Sequence, residues 1–267
     1  MQAGLKKGQQ ETLQNQREWL KRSIVNVLST NHLSKSFGGL MAVKDLSFEL
    51  QKYEILALIG PNGAGKTTVF NCLSGFLQQD EGDIIFEGKP LNNLQPFQIC
   101  QLGMARTFQI VKPFLNLSVL DNVMVGSLSK ENSTARAKKT SLEIINFVGL
   151  SNMIHKEAQG LPLPVRKRLE VARALATQPT VLLLDEVMAG LNPTEVDELI
   201  VLLKEINRQG ISIFLIEHVM RGVMALSNRV IVINYGVKIA EGSPDEVVKN
   251  KQVVEAYLGR EFLSAQG

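Results

Sequence analysis

The run Gly60-Pro61-Asn62-Gly63-Ala64-Gly65-Lys66-Thr67-Thr68 satisfies the pattern G-x-x-x-x-G-K-[ST] at every fixed position. The residue types suit phosphate. Glycines let the backbone wrap an anion with its N–H groups turned inward, and the start of a following helix adds partial positive charge. Lys66 can reach β- and γ-phosphates, and the Thr67 hydroxyl can ligate Mg²⁺. A second constellation lies far along the chain. The aliphatic run Val181-Leu182-Leu183-Leu184 ends in Asp185-Glu186. Ligands of open α/β sheets sit at the carboxyl ends of strands, so Asp185 falls where Mg²⁺ would be and Glu186 can polarise an attacking water. An acid pair alone is more often a helix cap or a solvated turn; the phosphate loop upstream changes the reading.

Two further residues join the set. His218 follows the next apolar run, 212–216, which puts it within reach of a γ-phosphate, although an isolated histidine is usually structural. Gln109 ends Ala105-Arg106-Thr107-Phe108-Gln109, and its neutral amide can bind both a metal and a water.

The elements needed to position these groups are visible as alternating patterns. Residues 24–28, 46–50, 54–59 and 84–87 read as strands, with a turn at Asp80-Glu81-Gly82 and a helix over 66–76. From about 93 to 160 strand runs give way to polar helical stretches such as 137–148, read as an inserted helical subdomain of approximately 93–168. Alternation then returns: helix 165–176, strand 180–184, helix 193–208, strand 212–216, helix 219–226 and strand 229–234. Helix 193–208 carries Asn192 as cap, Pro193 in its first turn and Gly210 after its end. Strands alternating with helices predict a mostly parallel sheet covered on both faces. Residues 1–22 are polar and Gln-rich, with Trp19 and Leu20 the apolar exception, and read as an extension ahead of the folded domain 23–267.

Composition narrows the class. A 267-residue chain with 45% hydrophobic and 21% charged residues is ordinary for a globular α/β domain. A net charge of +3 is too small to argue for nucleic acid. Cys72 and Cys100 make neither a metal pattern nor a disulfide framework, which fits a reducing cytoplasm. No apolar run approaches a membrane span, and the first residues lack the apolar stretch of a signal peptide.

Taken in order, the phosphate loop, Gln109, helical stretch, Asp185-Glu186 and His218 resemble an ABC-type ATPase subunit over residues 24 to about 240. The stretches SFGGLMAVKDLSFEL, GMARTFQ, RLEVARALATQP, AGLNPTE and EAYLG are most similar to the ATPases of branched-chain amino acid importers. The resemblance implies a P-loop NTPase (RecA-like) core, mostly parallel, with an antiparallel β subdomain and an inserted α-helical subdomain. It implies ATP and Mg²⁺ as ligands, with Phe37 stacked on adenine and supported by Val43. Lys66 and Thr67 would hold phosphates and Mg²⁺, Gln109 would sense Mg²⁺ and water, Asp185 would support Mg²⁺, Glu186 would be the general base, and His218 would contact the γ-phosphate. Gly190–Asn192 would cross to a partner subunit; Asn192 stands where many relatives have Asp, and Val187 replaces a usual Pro.

One departure is larger. The signature segment, usually L-S-G-G-Q or L-S-Y-G-Q, is here Leu161-Pro162-Leu163-Pro164-Val165. In the family its Ser hydroxyl and Gly N–H grip the γ-phosphate of the opposite subunit. Pro162 has no hydroxyl and Pro164 no N–H. The resemblance therefore implies an ATPase on the cytoplasmic face of the inner membrane, bound to integral permease subunits that a periplasmic or lipoprotein substrate-binding protein serves. The weakened signature favours a heterodimer with a second ABC ATPase. Alternatives are a nucleotide-gated regulatory subunit with weak hydrolysis, a non-transport ABC ATPase, and a lipid or polysaccharide exporter.

Overall fold

A computed structural model describes residues 25–110 and 112–264, and for 258–264 only the backbone; the extension 1–22, with Trp19 and Leu20, lies outside them. Two sheets are stacked. The antiparallel sheet has the order β2-β1-β4-β5, from β1 (Asn26–Phe37), β2 (Leu40–Gln51), β4 (Glu81–Phe86) and β5 (Lys89–Pro90). The main sheet has the order β10-β9-β3-β8-β7-β6. Its strands β3 (Ile55–Ile59), β6 (Met104–Arg106), β7 (Val181–Asp185), β8 (Ser212–Ile216) and β9 (Arg229–Asn234) run parallel, and β10 (Val237–Gly242) returns antiparallel along β9.

Every residue of β3, β7 and β8 is buried, as expected where a parallel sheet is covered on both faces. Alternate residues serve different cores. Leu56, Leu58, Leu183, Phe214 and Ile216 face Leu28, Leu46, Ile84 and Phe86 of the antiparallel sheet and Val69 and Phe70 of α1 (Lys66–Leu73). Phe214 seals that layer with rings at 5.0 Å from Phe48 and 5.1 Å from Phe70. The opposite row, with Ile55, Ala57, Leu182, Leu184 and Leu215, packs beneath α3 (Val119–Ser127), α5 (Leu163–Leu175) and α6 (Pro193–Arg208). The remaining helices are α2 (Pro96–Leu102), α4 (Thr134–Phe147), α7 (Met220–Leu226), α8 (Pro244–Val248) and α9 (Lys251–Ser264).

Several elements differ from the sequence reading. The first two strands extend far beyond 24–28 and 46–50, because β1 carries polar residues through bulges where apolar alternation breaks. His32, with φ 54°, is at one irregularity between Thr30 and Leu33. Asp80-Glu81-Gly82 is not simply a turn, since β4 starts at Glu81 and Gly82 holds φ +83° inside it. The helix over 66–76 stops at Leu73. Met104–Arg106, within the span read as free of strands, pairs parallel with β7; three residues are too few to show a period. Strand β10 has no counterpart in the sequence reading. Helix α6 matches its reading, and Glu195 completes a capping box with Asn192.

Candidate functional site

Because β3, β7 and β8 are parallel neighbours, the segments that follow them emerge along one edge of the sheet. β3 feeds Gly60–Thr68. Two glycines there are sterically required. A Cβ on Gly60 would fall 2.2 Å from the Ile233 carbonyl oxygen, and one on Gly65, which has φ +104°, would fall 2.3 Å from that of Ala42. Gly63 also holds a positive φ, +77°. Buried Lys66 arches back over the loop, donating from Nζ to the carbonyls of Gly60 at 2.7 Å and Pro61 at 3.0 Å. Ala64 and Pro61 are buried, Asn62, Gly63 and Thr67 are exposed, and Thr68 is half-buried. The loop is thus anchored at its root and open at its rim. The Ala64 carbonyl accepts from Gly236 N–H at 2.9 Å, which fastens the loop to the β9–β10 turn. Val43, fully buried, lies beside Gly65, and Phe37 is exposed where β1 turns into β2.

Three of the residues singled out in the sequence meet beyond β7. Gln109 Nε2 donates to Glu186 Oε2 at 2.7 Å, and His218 Nδ1 stands 3.6 Å from the same oxygen. Glu186 has φ +49°, a conformation costly for a residue with a side chain. Its N–H donates to the Ile216 carbonyl at 2.9 Å, which holds the backbone in place. The Glu186 side chain is mostly covered, whereas that of His218 is half open to solvent.

Asp185 sits apart from this trio. Its carboxylate is buried and receives Arg106 Nη2 at 2.8 Å, while Arg106 Nη1 donates to Asn71 and Ser74 at 2.8 Å each. Burial pushes the Asp185 carboxyl up, with the Arg106 bond pulling it back. Sequence reasoning assigns no role to Arg106, although it lies within a motif. Nor does it single out buried Lys167, whose Nζ donates to the Glu186 carbonyl at 3.0 Å. The available signal is its spacing: Lys167, Glu170 and Arg173 form an i, i+3, i+6 charged stripe on a helix that otherwise packs into the core.

A phosphate loop and a Gln–Glu–His cluster on one sheet edge suit nucleotide hydrolysis, and the comparisons with known proteins agree. The family model described as ABC transporter matches residues 43–189. The chain is 41% identical over 249 residues to the high-affinity branched-chain amino acid transport ATP-binding protein LivG of Escherichia coli strain K12, covering 87% of this chain and 98% of that one. This chain belongs to the ABC transporter ATP-binding family. A second model, branched-chain amino acid ATP-binding cassette transporter, matches residues 237–262 of this ABC ATPase. BraF of Pseudomonas aeruginosa, described in the same words as LivG, is 36% identical over 249 residues, or 87% of this chain and 98% of its own length. Among solved structures, the ADP conformation of MJ1267, an ATP-binding cassette of an ABC transporter, superposes with a TM-score of 0.81 at 30% identity, covering 88% and 99% of the two chains. The fold is therefore that of a nucleotide-binding ABC ATPase, and no described helix is long and apolar enough to cross a membrane.

In this ABC ATPase, the segment 161–165 opens α5. Pro162 is its N-cap residue without a side-chain capping bond, and Pro164 lies in the first turn, where a missing N–H costs the helix nothing. Pro162 and Leu163 are exposed and Pro164 is half-buried; Pro162 carries no side-chain hydroxyl and Pro164 no N–H.

Glu170 gives the site a pH signature. It accepts Phe108 N–H at 2.8 Å on one oxygen, and the other has no partner. Burial lifts its carboxyl from 4.5 to about 7, against the Phe108 bond, Lys167 and Arg173, with Asp185 adding to the rise. The folded state thus holds this proton more tightly than the unfolded chain, so the group costs stability as pH rises from about 4.5 to about 7. Glu170→Gln keeps an acceptor for Phe108 and has no proton to lose. It should be more stable than wild type by about 1–3 kcal/mol at pH 8, the difference vanishing below about pH 4. Urea unfolding across that range checks this; a pH-independent difference would contradict it.

Proposed function

We propose that this chain is one of two ATPase subunits of an importer for branched-chain or related amino acids, acting peripherally at the cytoplasmic face of the membrane. The observation that carries the chemistry is the meeting of Gln109 and His218 on one carboxylate oxygen of Glu186, on the sheet edge that bears the phosphate loop. The cargo class rests on the likeness to LivG and BraF and on the match of residues 237–262.

In this reading Lys66 and the loop N–H groups bind the β- and γ-phosphates, and Phe37, backed by Val43, stacks on adenine. Glu186 takes a proton from water as the water oxygen bonds to the γ-phosphorus and the bond to the leaving ADP oxygen breaks. Gln109 and His218 orient the carboxylate and the γ-phosphate. The Thr67 hydroxyl, Gln109 amide oxygen and Asp185 carboxylate are hard oxygen donors of the kind Mg²⁺ takes. Bound there, Mg²⁺ would neutralise charge on the phosphates.

The site is half complete within one chain: a signature segment from a second subunit closes it. Because Pro162 and Pro164 weaken the segment this chain lends in return, a heterodimer with an intact-signature ATPase is favoured over a homodimer. The same prolines favour the alternative of a regulatory subunit with weak hydrolysis, which the assembled Glu186 cluster opposes. In this reading the helical insert, taken as approximately 93–168, carries α3 and α4 with the start of α5 and moves with the permease. Between it and the sheet is a groove of about 370 Å³ lined by Phe76, Phe97, Phe108 and Val125, suited to an apolar cytoplasmic segment of the permease.

Reconstitution with the neighbouring permease subunits, second ATPase and binding protein tests this reading. Proteoliposomes should take up labelled leucine only with internal ATP, and Val125→Asp should cut uptake at least tenfold while leaving ATP binding intact. Absence of amino-acid uptake by an assembly that hydrolyses ATP would sink the cargo assignment.

A further inference from the structure

The segment that carries Gln109 leaves the sheet at β6 and runs along α5. Thr107 N–H donates to the Leu183 carbonyl at 2.9 Å, fixing the exit. Beyond it, three charged residues of α5 spaced three apart take hold. Glu170 receives Phe108 N–H at 2.8 Å. Lys167 Nζ approaches the Gln109 carbonyl at 3.4 Å. Arg173 donates to the Lys112 carbonyl at 2.9 Å and lies 4.7 Å above the Phe114 ring. Residues three apart share a helix face, so these side chains form a rail under the segment.

Lys167 makes one contact the others lack. The same ammonium donates to the Glu186 carbonyl at 3.0 Å. Gln109 and Glu186 are joined in front by their side chains at 2.7 Å and behind by Lys167 through their backbones. Lys167 is 3% exposed. A buried ammonium is costly unless its donors are used, and here two of its bonds end on the two residues that must stay in register. One turn of helix separates it from Leu163, in the segment that opens α5.

We infer that Lys167 is a positioning residue for ATP hydrolysis, clamping the backbones of Gln109 and Glu186 to α5, with Glu170 holding the adjoining Phe108 amide as part of the same clamp. The inference rests on Glu186 and Gln109 serving as base and water-orienting amide. It adds a physical link between the segment lent to the opposite ATP site and the catalytic groups of this chain's own site, since both are fixed to one rigid helix. A displacement of about 1 Å in such groups can cost about a hundredfold in rate.

The test is steady-state ATPase of the assembled transporter carrying Lys167→Met, Lys167→Arg, Glu170→Leu or Glu170→Gln, with Glu186→Gln as reference. Lys167→Met should lower kcat about 10- to 100-fold with KM for ATP unchanged within about twofold. Lys167→Arg, which retains donors, should recover most of the loss. Should Lys167→Met fail to fold, the Glu170 pair decides: Glu170→Leu should lower kcat at constant KM and speed hydrogen exchange at Phe108, and Glu170→Gln should restore both. Wild-type kcat in Lys167→Met, or in Glu170→Leu where the former does not fold, would overturn the clamp provided Glu186→Gln is inactive. If Glu186→Gln itself turns over normally, the reading of the base falls instead, and the clamp with it.

Discussion

Glu186→Gln should lower single-turnover ATP hydrolysis by about 10²–10⁴-fold while leaving ATP affinity within about threefold of wild type. The substitution is nearly isosteric. The carbonyl oxygen of the new amide can still accept the bond that Gln109 Nε2 donates at 2.7 Å to Glu186, and the backbone bond from residue 186 to the Ile216 carbonyl is untouched. What disappears is basicity, because an amide cannot take the proton that water must lose. The proposed phosphate-binding groups lie on Gly60–Thr68 after a different strand, so binding should persist. In the assembly the variant should accumulate in the ATP-bound closed state. Normal turnover would place the base elsewhere.

Lys66→Ala should affect binding first. The lysine is buried, and its Nζ ties the loop together through the Gly60 and Pro61 carbonyls. A hydrogen bond to a charged partner contributes about 1.5–3 kcal/mol, so the net loss of one to phosphate should weaken ATP binding about 10- to 100-fold. Turnover should fall further, since charge develops on the transferring group. Lys66→Arg should not restore it: a planar fork does not fit a compact ammonium's place between two carbonyls in a loop whose Gly60 and Gly65 leave no space for even a Cβ. Titration calorimetry reads the first effect. Wild-type affinity in Lys66→Ala would contradict the loop's role.

The parallel core was legible because burial on both faces demands uninterrupted apolar runs, and Ile55–Ile59, 181–184 and 213–216 are such runs. The antiparallel sheet was legible only in part. Its long strands are half exposed and bulged, so their pattern repeats nowhere long enough to read. Strand β6 escaped because its identity comes from pairing with β7, a tertiary fact absent from three residues. At the site, types and spacing picked out Gly60–Thr68, Asp185-Glu186 and His218, because phosphate chemistry restricts which side chains serve, while Gln109 drew its role from the family resemblance. The contact between Gln109 and Glu186, 77 positions apart, was not readable. Neither were the bonds that buried Arg106, Lys167 and Glu170 make to Asp185, to the Glu186 carbonyl and to the Phe108 amide, since they depend on tertiary packing.

That this chain holds half of an ATP site completed by a different subunit is tested by ATP turnover in the presence of the permease. It is measured for this ATPase alone and again after equimolar addition of the second, intact-signature ATPase. Turnover should be weak alone and rise at least about tenfold on mixing, roughly the loss of one or two charged hydrogen bonds in the closed site. Strong turnover by this chain alone, unchanged by the second subunit, would contradict it.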